Sequence, residues 1–440
     1  MSPLETIIIV AVGFLVMLLL GQPLTFTLGG LAVIFGYFFW GHPSILNLFV
    51  RTAFNLTTSI AYVSVPLFIY MGAVLERSEA ANDLFESLYV IFGQVRGGLA
   101  IATVIICTML AAATGIIGAG ITLMTMLALP AMQERKYDPQ LSTGSIMAAG
   151  CLGTIIPPSI ILVIYGAQAQ ISIGKLFAGG IGAGLVLSVL YIIYIALRAF
   201  LNPKMAPAIR VEEASKYSTR EKLYMVVRSV LPTLGLIFAV LGSILLGMAT
   251  PTEAAALGCI GALIIAALNR KLTWELVRDS CFATLKTTSM ILWIILAASM
   301  FTSVFLGLGG GELLSAFVEG LALNRWIILS LILFIILIMG MFIDSYGVLL
   351  IGIPVFTPVV YGLGFDPIWF AIIFAVMIQA SYLSPPFAYA VFYVKGIAPK
   401  AATINQLYRA AIPFLLLQVL AVVILSVFPD IITWLPSRMM

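Results

Sequence analysis

The run Gly150-Cys151-Leu152-Gly153-Thr154-Ile155-Ile156-Pro157-Pro158-Ser159 stands inside a long apolar stretch, and so does Ala380-Ser381-Tyr382-Leu383-Ser384-Pro385-Pro386-Phe387. Two adjacent prolines remove two backbone donors and crowd the preceding turn, so a helix has to break at each run. In lipid a break is tolerated only where the freed carbonyls are buried in protein or line a cavity. Two breaks at corresponding places in two halves are the sequence pattern of a carrier's binding site.

Pro385 and Pro386 follow Pro157 and Pro158 by 228 residues. The same offset pairs Pro130 with Pro358, Asp138 with Asp366, Pro139 with Pro367 and Tyr165 with Tyr393. Nearer the start of each half it pairs Pro23 with Pro251 and Gly30 with Gly258. Most of these residues set backbone geometry, and together they mark an internal duplication.

Of the 440 residues, 62% are hydrophobic and 9% charged, where a soluble domain carries about 25% charged residues. The chain therefore reads as an all-α polytopic membrane protein. The four cysteines are scattered through apolar segments and only one histidine is present, so neither a disulfide framework nor a zinc site is supported. There is no P-loop and no Ser/His/Asp arrangement, which argues against catalysis, and no nucleic-acid partner is expected. The N-terminus carries Glu5, lacks a basic leader region and runs on into further apolar segments, so it reads as a first span.

Runs of span length fall near 3–20, 23–40, 59–76, 140–168, 175–198, 229–247, 251–268, 285–307, 367–394 and 403–428. Two longer runs, 97–133 and 325–361, carry small or turn-forming residues at their middles, Ala113 to Gly120 and Asp344 to Gly347. We read both as re-entrant hairpins, the alternative being two ordinary spans joined by a tight loop. Residues 44–58 and 272–283 have the mixed polarity of helices lying in the interface. The boundaries that follow are a first repeat over 1–200, a cytoplasmic linker over 201–228 and a second repeat over 229–440.

With the central loop in the cytoplasm, every one of the 22 Lys and Arg residues except Arg51, Lys175, Arg325 and Arg438 falls on that side. Both termini are then outside. Each repeat holds five spans and one hairpin, and an odd number of spans makes the second repeat inverted relative to the first.

Two acidic residues remain at membrane depth, Glu253 and Asp344, and intramembrane acids are functional candidates by default. Thr250-Pro251-Thr252-Glu253 also reads as a capping box with proline at the first helical position. Asp344, at a hairpin tip, is placed to cap the returning helix or to hold a cation. Helix N-termini at the breaks and tips offer partial positive charge. Unwound carbonyls, with the hydroxyls of Thr114, Thr154, Ser345, Ser381 and Ser384, offer oxygen ligands to Na⁺.

At Gly153-Thr154-Ile155-Ile156-Pro157-Pro158-Ser159, Thr250-Pro251-Thr252-Glu253-Ala254-Ala255, Phe342-Ile343-Asp344 and Leu383-Ser384-Pro385-Pro386-Phe387 the chain resembles the large, DctM-like membrane subunit of TRAP (tripartite ATP-independent periplasmic) transporters. The spacing matches over essentially the whole chain. Phe392-Tyr393-Val394-Lys395-Gly396 and Trp434-Leu435-Pro436 resemble the branch associated with mannitol or chloroaromatic compounds. The resemblance implies an elevator-type secondary transporter of the bacterial inner membrane, with scaffold and transport domains and a Na⁺ gradient as driving force. It implies a separate small four-helix membrane subunit and a periplasmic binding protein that delivers a small organic acid.

It also implies Na⁺ sites where each tip meets the facing break. The first takes in Thr114, Gly115 and Gly118 with Gly153, Ile156 and Pro157; the second, Asp344 and Ser345 with Ser381, Ser384 and Pro385. Ile116 and Ile117 stand where the family is usually richer in serine, leaving backbone carbonyls to serve at the first tip. Ala388 stands where glycine is frequent. Candidate substrate contacts are Thr154 and Ser159 at the first break and Tyr382, Phe387 and Tyr389 at the second, the aromatics either walling the substrate or packing the domains. No lysine or arginine lies at membrane depth, and a helix end supplies about half a charge, so the expected substrate is a monocarboxylate such as a 2-oxo or 2-hydroxy acid. A self-sufficient Na⁺-coupled dicarboxylate or anion carrier and a non-transporting membrane scaffold are the competing readings.

Overall fold

The computed structural model describes residues 3–40, 42–115, 117–208, 218–320 and 323–439. Ile116 of the first tip and residues 209–217 of the central loop lie outside the described residues. The regular elements are helical. The first half contains α1 Pro3–Leu19, α2 Leu24–Trp40, α3 His42–Thr58, α4 Ile60–Arg77, α5 Ala80–Phe92, α6 Gly98–Thr114, α7 Ile117–Glu134, α8 Pro139–Gly150, a 3-10 turn Cys151–Thr154, α9 Ile160–Ala169 and α10 Ile173–Leu201. The second half contains α11 Thr219–Leu245, α12 Pro251–Leu268, α13 Trp274–Gly307, α14 Gly310–Gly320, α15 Arg325–Phe342, α16 Ser345–Gly362, α17 Pro367–Ser381, α18 Tyr389–Ile397, α19 Ile404–Val427 and α20 Asp430–Ser437. Among the described residues, eight helices are long and apolar enough to cross a membrane. The chain is a polytopic helical membrane protein.

Helix bounds recur at the 228-residue offset. α7 and α16 correspond at both ends. α8 and α17 both begin at a proline that follows an aspartate cap: Asp138 Oδ1 accepts from Leu141 N at 2.9 Å, and Asp366 Oδ1 accepts from Trp369 N at 2.8 Å. A proline at the first helical position loses no hydrogen bond, because its N–H would have no partner there. α8 from Leu141 and α17 from Trp369 are buried along their remaining lengths. Buried on every face, they occupy the middle of the bundle.

Tertiary packing follows the repeat as well. α2 packs on α13 and α4 on α12; exchanging the halves turns one pair into the other. The same exchange relates α7–α18 to α16–α9, α8–α19 to α17–α10, and α1–α2 to α11–α12. It fails in more than one place: α4 also packs on α6 and α9, whereas α13 packs on α16, and α6 packs on α5 and α10 while α15 has no comparable packing on α14 or α19 among the described residues.

One boundary is corrected. The polarity pattern separates an amphipathic arm at 272–283 from a span at 285–307, but the structure joins them in the 34-residue α13. No proline or glycine lies between Trp274 and Leu306 to break it. The first half keeps the division at Ser59, an extended residue at φ −75° and ψ 114°. There Thr57 and Thr58 turn their hydroxyls back onto the Ala53 and Phe54 carbonyls. The short helices α5, α14 and α20 are amphipathic and are not marked by hydrophobic runs.

α20 is held on α10 by glycines. A Cβ at Gly182 would collide with the Ile431 carbonyl, and one at Gly179 would sit 3.1 Å from Ile432 Cγ2. Gly182→Val forces these helices apart, an overpacking cost of about 1–3 kcal/mol. Thermal unfolding in detergent should fall by several degrees; an unchanged midpoint contradicts this packing.

Candidate functional site

Each tip is seated on a break. α6 ends at Gly115, whose φ of +63° is favoured by glycine and whose N–H bonds the Ala111 carbonyl at 3.0 Å. A Cβ there would collide with the Pro158 carbonyl, so the first tip lies directly against the first break. Gly120 and Gly150 bring α7 equally close to α8. In the second half, Gly340 of α15 faces Ser381, a side chain at this position colliding with the serine hydroxyl. The close approaches are Gly115 to Pro158 at the first tip and Gly340 to Ser381 at the second, and the 3-10 turn Cys151–Thr154 packs on α6 and α7.

The prolines remove the helical donors to four carbonyls, those of Gly153, Thr154, Ser381 and Tyr382. Three are recovered locally: Thr154 O accepts from the Ser159 hydroxyl, Tyr382 O from Ala390 N at 3.2 Å, and Ser381 O from Ser384 N at 3.1 Å. Gly153 O receives no hydrogen bond among the described residues. The Tyr408 hydroxyl reaches across from α19 to Pro386 O at 2.6 Å. Both proline pairs are cis.

The hydroxyls hold their protons inside the helices. Thr114 Oγ1 donates to Leu110 O at 2.8 Å, Ser381 Oγ to Ile378 O at 2.6 Å and Ser384 Oγ to Ala380 O at 3.0 Å. Their lone pairs accept no hydrogen bond among the described residues. Ser159 caps α9, accepting from Leu162 N at 3.4 Å, and Ser159 and Thr154 are fully buried. Ile156 packs against Gly184, and Pro157 Cγ would lie 3.4 Å from a Cβ at Gly180. α18 resumes at Tyr389 directly after Ala388, which has φ −55° and ψ 94°.

Asp344 caps α16, its Oδ2 accepting from Tyr346 N at 3.1 Å. Tyr346, Tyr382, Tyr389 and Tyr393 all stand within electrostatic reach of this carboxylate. Among the described residues no lysine, arginine or histidine forms an ion pair with it. Tyr393 also leans on the other tip, its hydroxyl 3.0 Å from where a Cβ on Gly118 would stand. Tyr382 and Tyr389 meet edge to face at 6.0 Å; Phe387 is half exposed and touches Phe342 in the same manner at 6.3 Å.

Glu253 is a cap. Thr250 Oγ1 accepts from Glu253 N at 3.3 Å, and Glu253 Oε2 accepts from Thr250 N at 2.7 Å and from its hydroxyl at 2.8 Å. The pair is exposed at the start of α12.

A buried chain of polar groups joins the two breaks, and the sequence reading missed it. The single Thr154 hydroxyl proton is shared between Cys151 O at 2.8 Å and Gln379 Oε1 at 3.1 Å. Gln379 Nε2 donates to the Tyr191 hydroxyl at 3.4 Å, and Gln418 Nε2 donates to the same hydroxyl at 3.0 Å. Gln379, Tyr191 and Gln418 have no solvent exposure, and Gln418 Oε1 has no partner among the described residues. The available signal was a glutamine standing alone in each of two apolar spans.

A family model for the "Tripartite ATP-independent periplasmic transporter, DctM component" matches residues 11–431. The chain is 31% identical to the C4-dicarboxylate TRAP transporter large permease protein DctM of Pseudomonas aeruginosa, over 87% of this chain and 88% of that protein. It is 27% identical to the ectoine TRAP transporter large permease protein TeaC of Halomonas elongata, over 95% and 96%. The crystal structure of the Alcanivorax borkumensis YdaH transporter aligns with a TM-score of 0.65 at 14% identity, over 95% of this chain and 98% of that one. The likeness to YdaH is one of fold.

Replacing Gln379 by leucine removes one hydrogen bond from Thr154, which keeps Cys151 O, and one from the Tyr191 hydroxyl, which keeps Gln418 Nε2. The expected cost is about 0.5–1.5 kcal/mol for each hydrogen bond lost. Thermal unfolding of Gln379→Leu should drop accordingly and Gln379→Glu should drop as well, since a buried carboxylate adds a desolvation penalty. Wild-type stability in Gln379→Leu contradicts the bonded network.

Proposed function

Because the chain belongs to the DctM-component family of tripartite ATP-independent periplasmic transporters, a family of permeases and not of enzymes, we propose that it is the large membrane subunit of a Na⁺-driven importer of a small organic acid. It works in the inner membrane with a small four-helix subunit and a periplasmic binding protein that delivers the substrate. Its central linker faces the cytoplasm and its termini face the periplasm.

The observation that carries this reading is the seating of each hairpin tip on a broken helix, with Asp344 at the second tip lacking a basic partner. A carboxylate in a low-dielectric interior needs a compensating cation. At the second tip, Na⁺ meets the Asp344 and Ser345 oxygens and the lone pairs of Ser381 and Ser384. At the first tip it meets the Thr114 hydroxyl oxygen and the carbonyls around Gly115 and Gly153. Oxygen ligands of this kind suit a hard monovalent ion. The substrate, of a size and charge that two helix ends and a bound Na⁺ neutralise, is a monocarboxylate held near Tyr382, Phe387 and Tyr389.

The packing supports an elevator built on two inverted repeats. The exchangeable helix pairs are those a two-fold axis generates, and in a membrane that axis lies in the plane when the repeats are inverted. α1, α2, α11 and α12 belong to the scaffold. The hairpins α6–α7 and α15–α16, with the broken helices α8–α9 and α17–α18, belong to the transport domain. The arms α3–α4 and α13 grip that domain at different places, which a symmetric pair does when the body between them has moved to one side.

Two experiments test this. Purified transporter with its small subunit and binding protein, reconstituted in proteoliposomes, should take up a small monocarboxylate only under an inward Na⁺ gradient. Asp344→Asn should raise the Na⁺ concentration for half-maximal uptake by about tenfold or more, roughly 1.4 kcal/mol. Uptake without Na⁺ or without the binding protein, or unchanged Na⁺ dependence in that variant, contradicts the assignment; preference for a dicarboxylate contradicts the substrate class alone. For the elevator, Gln168 Nε2 donates to Ser299 Oγ at 3.2 Å across the junction of α9 and α13. Oxidised Gln168→Cys with Ser299→Cys should stop uptake, and reduction should restore it. Full transport by the cross-linked protein rules out relative movement at that junction.

A further inference from the structure

Two arginines converge away from the breaks. Arg198 lies in the last turn of α10 and Arg409 in the second turn of α19. Both line a notch of about 30 Å³ that Gln140, Tyr194 and Phe414 also border. Neither forms an ion pair with an acidic side chain among the described residues. Asp138 lies within electrostatic reach of Tyr194, but its Oδ1 is bonded to Leu141 N as a helix cap. Two guanidinium groups facing one notch repel each other, and an anion between them removes that cost. The guanidinium fork matches a phosphate in geometry. Tyr194 stacks edge to face on Phe414 at 5.2 Å, and the Arg198 guanidinium sits over the Tyr194 ring at 6.0 Å, which orients the fork.

The surroundings identify the kind of anion. Ile412 and Leu416 run on from Arg409 along α19, each about half exposed or more. That spacing puts them on the Arg409 face of the helix. α19 is a candidate span, so this stripe runs into the hydrocarbon while the arginines stay at its edge. The feature belongs to one membrane face only. At the 228-residue offset, Ile181 and Ser426 stand where the arginines would be.

We propose that this notch binds the phosphodiester headgroup of an anionic phospholipid, with its phosphate between Arg198 and Arg409 and an acyl chain along the α19 stripe. A free anion would share the guanidinium contacts but gain nothing from the apolar stripe. Basic pockets between membrane helices are known to take such headgroups.

The test is lipid retention by the purified transporter, read by native mass spectrometry after equilibration with phosphatidylglycerol or phosphatidylcholine. The wild type should retain phosphatidylglycerol about tenfold or more over phosphatidylcholine. R198Q/R409Q should lose that preference, and each single variant should lose part of it, so an unstable double variant does not void the test. Millimolar inorganic phosphate should leave retention unchanged. Equal retention of the two lipids by the wild type, or undiminished preference in the glutamine variants, overturns the proposal. Displacement of the lipid by phosphate assigns the notch to a free anion and also overturns it.

Discussion

The hydrocarbon core of a bilayer offers a backbone no hydrogen bonds, so carbonyls freed by the two proline pairs have to be answered or buried within the protein. The structure answers three of the four with the Ser159 hydroxyl, Ala390 N and Ser384 N, and keeps Gly153 O inside the bundle with no hydrogen bond among the described residues. It can do so only because α8 and α17 are sheathed by other helices along almost their whole length. Burial of the broken helices in turn dictates the close glycine approaches at the tips. Gly115, Gly150 and Gly340 are positions where a side chain would hold tip and break apart. The interior polar surface needed for an ion and a carboxylate is a by-product of this arrangement.

The two halves are equivalent in plan and unequal in chemistry. Only the second tip carries a carboxylate, and four tyrosines gather around it. Gln379 of the second half is bonded to Thr154 of the first, and Tyr393 of the second half rests on the first tip at Gly118. A change at one break is therefore felt through direct contacts at the other. These contacts give any sites formed at the two tips a physical route for coupling, where a pair of isolated sites would have none.

Prolines, aspartate caps and the capping box were legible in the sequence because they act on their own backbone within a few residues. Pro157, Pro158, Pro385 and Pro386 break helices wherever they stand, and Thr250 with Glu253 closes a box of fixed spacing. The division of 272–307 into arm and span was misread because polarity changes there while the backbone does not. Nothing between Trp274 and Leu306 interrupts the helix, whereas Ser59 does so in the other half. Thr154, Gln379, Tyr191 and Gln418 were not legible as a group. Their bonds join residues 188 to 227 apart in the chain, and no local spacing announces a contact made only by the packing of α10, α17 and α19.

The central claim is that the chain itself holds Na⁺ between a tip and a break. Equilibrium binding of radiolabelled Na⁺ to the purified protein, without substrate, tests it most directly. The account predicts saturable binding that excess K⁺ does not displace and that is reduced when Asp344 is replaced by asparagine. Absence of saturable Na⁺ binding, or full binding in the asparagine variant, would contradict it.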